Sequence, residues 1–261
     1  DKAVFENKAS GKAIVLNGDT WLDLKKAGIF RRSQPFSIGI WVNIPRQLTE
    51  GVIFHKCIAE RLYNFKGYQL YLKNNKLELS MAHTAPSNAI TKVTMDNVPR
   101  DKWIQLTATY DGSSKAAGFK LYMDGAELRM ETTMDQLTKD ILFNNGGPGL
   151  QIGAWWRGRG FKDGKVSGIT VYNRTLTPFE IKILAQKAAW SQIAAKDKAL
   201  LSADDKNNLR QYYLAAIDPE VLSEEQKLTT LRTRLSDSTE NISELMVMQE
   251  MPKPKKTFLL K

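Results

Sequence analysis

The chain has 261 residues, 42% hydrophobic and 25% charged, with 38 Lys and Arg against 28 Asp and Glu and a formal net charge of +10. With 9% aromatics it is too apolar for a disordered chain, and no run approaches the roughly 18 consecutive apolar residues of a membrane helix. A single cysteine, Cys57, excludes an internal disulfide and a cysteine-built zinc site, and two histidines, His55 and His83, exclude a multi-histidine metal centre.

Residues 1–176 read as β, with about ten short alternating or β-rich runs between turn signals. Ala13–Leu16 runs into the turn Asn17-Gly18-Asp19, and Trp21–Leu24 alternates. In Phe36–Val42 the alternation puts Phe36, Ile38, Ile40 and Val42 on one face and Trp41 on the other. Tyr68–Leu72 and Lys76–Met81 are joined by Lys73-Asn74-Asn75, a hairpin connection. Trp103–Tyr110 stops at Asp111-Gly112, and Phe119–Met123 stops at Asp124-Gly125, turns that call for positive φ. Leu150–Ala154 and Val166–Tyr172 complete the set, and Trp41, Trp103 and Tyr110 are expected to fill the core. With no amphipathic helix between the strands, the fold class is all-β, a two-sheet antiparallel jelly-roll sandwich.

The pattern then turns helical. Thr177-Pro178-Phe179-Glu180 is a helix start, and Ile181, Ile183, Leu184, Ala188 and Trp190 follow at helical spacing. Ser202-Ala203-Asp204-Asp205 caps a second helix, and Ser223-Glu224-Glu225-Gln226 is expected to start a third whose apolar stripe is Leu228, Leu231 and Leu235. This predicts a sandwich over 1–190 and a helical extension over 191–261, read as the start of a following domain of unknown function that leans on the sandwich or on further sequence. The opening Asp1 and the closing run Phe258-Leu259-Leu260 are those expected of a piece of a longer protein.

Leu16-Asn17-Gly18-Asp19, Pro35–Val42, Gly67–Leu72, Trp103–Gly112, Lys120–Gly125, Leu150–Ala154 and Val171–Thr177 stand in an order that resembles laminin-G-like, concanavalin A-like lectin/glucanase jelly rolls. The tail, Met246–Pro254 with Lys256–Leu260, is similar to a segment of planctomycete-type cytochrome c-linked proteins in which such a jelly roll separates two domains. That resemblance implies an exported, multidomain parent and an extracytoplasmic location. No Cys-x-x-Cys-His occurs, so no c-type haem is attached here.

The strongest candidate site is Trp155-Trp156-Arg157-Gly158-Arg159-Gly160, a glycine-rich stretch after a strand. Aromatic faces stack on sugar rings, and Arg157 and Arg159 donate to hydroxyls or carboxylates. The same residues also suit a plug at the sandwich end with solvated arginines, and both readings stand. Arg61, Tyr63 and Asn64, in a long loop after Cys57, are further candidates, unless that loop buries Leu62 and Phe65 on itself. His55, read at a strand end, and His83 are assigned no role. Calcium occurs in many relatives, with Asp19 and Asp163 as contributors, but the family's acidic pair is here Ser167 and Gly168, so no metal site is assigned.

No Glu-x-Asp-x-x-Glu or Gly-x-Ser-x-Gly is present. The leading expectation is a non-catalytic carbohydrate-binding module. The alternatives are a structural or protein-interaction module docking neighbouring domains, and a divergent polysaccharide-acting glycosidase. Residues 1–176 hold 25 basic and 16 acidic side chains, a net +9, while 177–261 carry only +1. Charge confined to the sandwich, without a nucleic-acid motif, points to an anionic glycan rather than to nucleic acid or membrane insertion.

Overall fold

The computed structural model describes residues 4–8, 11–58, 65–143, 148–154, 159–186, 188–197 and 200–243. Fourteen strands are found among them: β1 (Val4–Lys8), β2 (Gly11–Val15), β3 (Leu22–Asp23), β4 (Phe36–Asn43), β5 (Glu50–Ile58), β6 (Lys66–Lys73), β7 (Lys76–Thr84), β8 (Asn88–Thr94), β9 (Trp103–Tyr110), β10 (Phe119–Met123), β11 (Ala126–Glu127), β12 (Met130–Asp135), β13 (Gln151–Ile152) and β14 (Lys165–Tyr172). They form two seven-stranded antiparallel sheets, β1-β2-β14-β4-β9-β10-β11 and β12-β8-β7-β6-β5-β13-β3. Strand β5 escapes the alternation rule because both of its faces are buried, so it reads as a nearly continuous run.

The core lies between the sheets. The predicted inward set of β4 (Phe36, Ile38, Ile40 and Val42) meets Phe54, Tyr68, Leu70, Leu72, Leu79 and Met81 of the opposite sheet. Phe30 and Phe36 stack at 4.6 Å, and Tyr110 meets Phe119 edge-on at 5.5 Å. Two phenols tie the 28–35 loop to this core: Tyr68 donates to the Gly28 carbonyl at 2.6 Å and Tyr110 to the Arg32 carbonyl at 2.5 Å. Trp41 and Trp103, expected in the core, are only half-buried. Trp41 faces outward from β4, as its place in the alternation requires, and packs over Gly168, where a Cβ would sit 3.0 Å from its ring. Asn74 and Asn75 both adopt positive φ (49° and 65°) and make a two-residue hairpin loop between β6 and β7.

Helix α1 (Pro178–Ala185) starts as read: Thr177 Oγ1 accepts from Glu180 N, and Glu180 Oε2 accepts from Thr177 N at 2.9 Å. It covers the outer face of the first sheet, burying Ile181 with Leu176 and Tyr122. The helix stops at Gln186, whose backbone is extended, and α2 (Ala188–Ala194) follows, so the single helix expected here is two. Helix α3 (Ala203–Ala216) carries the predicted Ser202 cap. Helix α4 (Pro219–Glu240) begins four residues before the expected Ser223. Asp218 caps it, accepting from Glu220 N and Val221 N at 3.0 and 3.1 Å, with Pro219 at the first helical position.

Helix α4 lies across one end of the sandwich and is held there by polar groups. Arg32 donates to Ser236 Oγ (3.0 Å) and Thr239 Oγ1 (2.9 Å), Arg31 pairs with Asp237 and Asp140, and Arg232 donates to the Asp111 carbonyl at 2.6 Å. Glu240 accepts from Asp140 N at 2.8 Å. Burial pushes the Asp140 carboxyl up, but the Arg31 guanidinium and the N–H groups of Arg32 and Ile141 hold it below the usual range. Leu228, Leu231 and Leu235, expected to be this helix's buried stripe, are exposed instead. The reason is the surface on offer: the sandwich end presents Arg31, Arg32 and the Asp140 N–H, which donate to the helix's hydroxyls and acids, and the Asp111 carbonyl, which accepts from Arg232.

Candidate functional site

The outer face of the second sheet carries a transverse polar row. Register aligns Asp23 of β3, Gln151 of β13, His55 of β5, Gln69 of β6, Ser80 of β7 and Thr91 of β8. One row along stand Tyr71 and Glu78, directly paired across β6 and β7. His55, Gln69, Tyr71, Glu78, Ser80 and Thr91 are all buried.

His55 sits inside β5, not at a strand end, with only 3% of its surface exposed. Burial holds its pKa down to about 4, partly offset by the Ala154 carbonyl, so the ring is neutral at pH 7. In the tautomer this geometry favours, Nε2–H donates to Ala154 O at 2.8 Å, and Nδ1 accepts from the Cys57 thiol at 3.2 Å. Ser80 donates to Glu78 at 3.1 Å, and Tyr71 donates to Glu50 Oε2 at 3.1 Å. Burial raises the Tyr71 phenol, the charges of Glu50 and Glu78 raise it further, and the Arg159 guanidinium pulls it the other way. Arg159 is therefore within electrostatic reach of this ring. Gln69 Oε1 is buried without a hydrogen-bond partner among the described residues.

The described flanks of the two predicted loops both lie on β5, one at each end of the strand. Residues 59–64, carrying Arg61, Tyr63 and Asn64, connect β5 to β6, and Phe65 at their exit packs with Cys57, Ala82 and Ala89 on the outer face. Ala154 and Arg159 bracket the other loop, and both are fastened to β5. His55 holds the Ala154 carbonyl, and Val52 N donates to Arg159 O at 3.0 Å. Phe161 N closes the loop's base on Gly153 O at 2.5 Å. Gly160 is required by close approach: a Cβ there would lie 1.8 Å from the Gly18 carbonyl oxygen. Trp155, Trp156 and Arg157, with Arg61, Tyr63 and Asn64, lie outside the described residues. Arg159 alone of the predicted set is described, half-buried beside Tyr71.

Sequence reasoning passed over Glu50, Gln69 and Tyr71, and it left Glu78 isolated. Only cross-strand register brings them together, and no local spacing announces it. Asp163 N donates to Leu16 O at 2.7 Å, which puts Asp163 at the corner that also holds Asp19. Among the described residues no three His, Cys, Asp or Glu side chains converge on one point.

The family model for the concanavalin A-like lectin/glucanases superfamily matches residues 16–182, from the strand before the first turn to the capped start of α1. The chain belongs to this superfamily. Among solved structures, this superfamily member is similar to the binding domain of Paraclostridial Mosquitocidal Protein 1 (17% identity, TM-score 0.54, 71% of this chain and 45% of that one). It is also similar to the binding domain of botulinum neurotoxin serotype G (16%, TM-score 0.51, 74% and 45%). A third likeness is domain 4 of AbnA, an extracellular GH43 arabinanase from Geobacillus stearothermophilus, solved with arabinotriose (22%, TM-score 0.51, 71% and 82%). The chain thus spans less than half of the toxin binding domains, and at these identities the likeness is one of fold. Comparison with curated protein sequences gives no match. No helix among the described residues is long and apolar enough to cross a membrane.

Proposed function

We propose that this chain is a non-catalytic glycan-binding module of a larger exported protein. The observation that carries the reading is the double attachment of the Trp155–Gly158 segment. Its flanking residues, Ala154 and Arg159, are hydrogen-bonded to the same strand over a buried polar row. A binding loop with fixed ends loses less conformational entropy when a ligand arrives. Two tryptophans and an arginine in such a segment, with Arg159 at its edge, suit a sugar ring with hydroxyl or carboxylate substituents. The net +9 of residues 1–176 favours an anionic polysaccharide. Domain 4 of the arabinanase, crystallised with arabinotriose, lends the reading support by analogy of fold.

Titration calorimetry against neutral arabino-oligosaccharides and acidic polysaccharides tests the proposal. A Trp155→Ala/Trp156→Ala variant is expected to lose at least about tenfold in affinity while keeping its fold. Absence of binding to every glycan, or unchanged binding in that variant, overturns it. Glu50 and Glu78, gathered around Tyr71, favour one second reading, a divergent glycosidase. Release of reducing ends by the wild-type chain, lost in Glu50→Gln or Glu78→Gln, would establish that reading instead.

A further inference from the structure

Arg32 is a buried guanidinium that grips hydroxyls and no carboxylate. Its surface is 8% exposed. Nη1 donates to Ser114 Oγ at 3.0 Å, Nε to Ser236 Oγ at 3.0 Å and Nη2 to Thr239 Oγ1 at 2.9 Å. Asp140 and Glu240 act on this charge through space, but among the described residues no carboxylate hydrogen-bonds the guanidinium. Nε and Nη2 form one edge of the planar group, the fork that takes both oxygens of a carboxylate. Ser236 and Thr239 of α4 therefore stand where those two oxygens would. Hydroxyls leave the charge of the fork unpaired, and a carboxylate would neutralise it.

The helix that supplies these hydroxyls has a polar grip. From Thr229 to Glu240 its buried and half-buried residues are Thr229, Arg232, Thr233, Ser236, Thr239 and Glu240. Such a contact gains little from apolar burial, so an anion can compete with it. Beside it a cavity of about 310 Å³ runs between α4 and the sandwich, with Arg174, Arg232 and Glu225 in its walls. We propose that the Arg31–Arg32 corner is a second binding site, for the carboxylate of a uronic-acid sugar, and that α4 occupies it as an internal stand-in. The helix offers this corner one carboxylate, Asp237 on Arg31, and the hydroxyls of Ser236 and Thr239 on Arg32 and of Thr233 on Ser33. A uronate carries the same groups, a carboxylate on a ring that bears hydroxyls. Sugar and helix exclude each other, so α4 lifts as the uronate binds. The corner is separate from the Trp155–Gly158 segment, and the proposal does not rest on the reading of that segment.

The whole chain carrying Trp155→Ala/Trp156→Ala isolates this corner from that segment. Trigalacturonate, its methyl ester and triglutamate are the probes, read by calorimetry and by amide hydrogen exchange. Trigalacturonate is expected to bind and to speed exchange of the α4 amides at least about tenfold, while the β9 amides stay protected. The uncharged methyl ester is expected to bind at least about tenfold more weakly. Ser236→Ala/Thr239→Val takes the two hydroxyls off the fork and is expected to tighten trigalacturonate about tenfold. Arg32→Lys keeps the charge, loses the fork and is expected to lose binding. If its circular dichroism changes, the Ser236→Ala/Thr239→Val variant decides instead. No binding of trigalacturonate, or binding without faster α4 exchange, overturns the proposal. So does equal binding of the methyl ester, or unchanged affinity in Ser236→Ala/Thr239→Val. Triglutamate binding more tightly than trigalacturonate makes this an acidic-peptide site and overturns the sugar.

Discussion

His55 is expected to make this protein acid-sensitive, and a single substitution isolates its share. In the unfolded chain the imidazole takes up a proton near its ordinary pKa of 6.5, whereas in the fold it does so only at about 4. Between those values the unfolded state binds more protons, so stability falls as pH is lowered from 6.5 toward 4. A difference of about 2.5 units at 1.36 kcal/mol each comes to about 3 kcal/mol, a sizeable part of a domain's usual 5–15 kcal/mol. Glutamine at this position places an amide N–H near the site of Nε2, keeps a donor for the Ala154 carbonyl and does not titrate. Urea unfolding of wild type and His55→Gln at half-unit steps from pH 7 to 4 gives the two stability curves. Buried carboxylates such as Asp140 contribute equally to both and cancel in the difference. Wild type is expected to lose about 3 kcal/mol relative to the variant across that window. Parallel curves would refute the argument, because they would mean that the buried ring charges as easily in the fold as outside it.

Gln69→Met replaces a buried amide whose carbonyl oxygen is unsatisfied, and it is expected to raise stability by about 1 kcal/mol in the same urea assay. Arg32→Ala removes donors to Ser236, Thr239 and Ser114 and is expected to cost about 3 kcal/mol. Hydrogen exchange on that variant should show the α4 amides losing protection while those of β9 keep theirs. Gly160→Ala drives a methyl group into the Gly18 carbonyl, so the attachment of Arg159 to Val52 is expected to open. Faster exchange at the Val52 amide, with little change at Leu70, checks it.

Most of the β architecture was legible because its signals are local. Alternation in Phe36–Val42 depends on a period of two, the Asn74-Asn75 and Asp124-Gly125 turns on the left-handed backbone region, and the Thr177 and Ser202 caps on groups three residues apart. The start of α4 has an equally local signal in Asp218-Pro219, a capping side chain followed by proline at the first helical position, which the reading from Ser223 missed. The candidate site was legible only as two loops, since what lies between them is set by register. Glu50 and Glu78 are 28 positions apart and meet around one phenol only because β5 and β7 both pair with β6.

The sequence by itself determined the sandwich, its turns, the helix caps and the basic balance of its first 176 residues, because each rests on contacts between near neighbours or on composition alone. Tertiary structure decided which face of α4 turns inward. A hydrophobic stripe indicates that a helix has a preferred side, but which side is buried depends on the surface it meets. Here that surface is a pair of arginines with the Asp140 N–H and the Asp111 carbonyl, so the hydroxyls, acids and Arg232 went in and the leucines were left out.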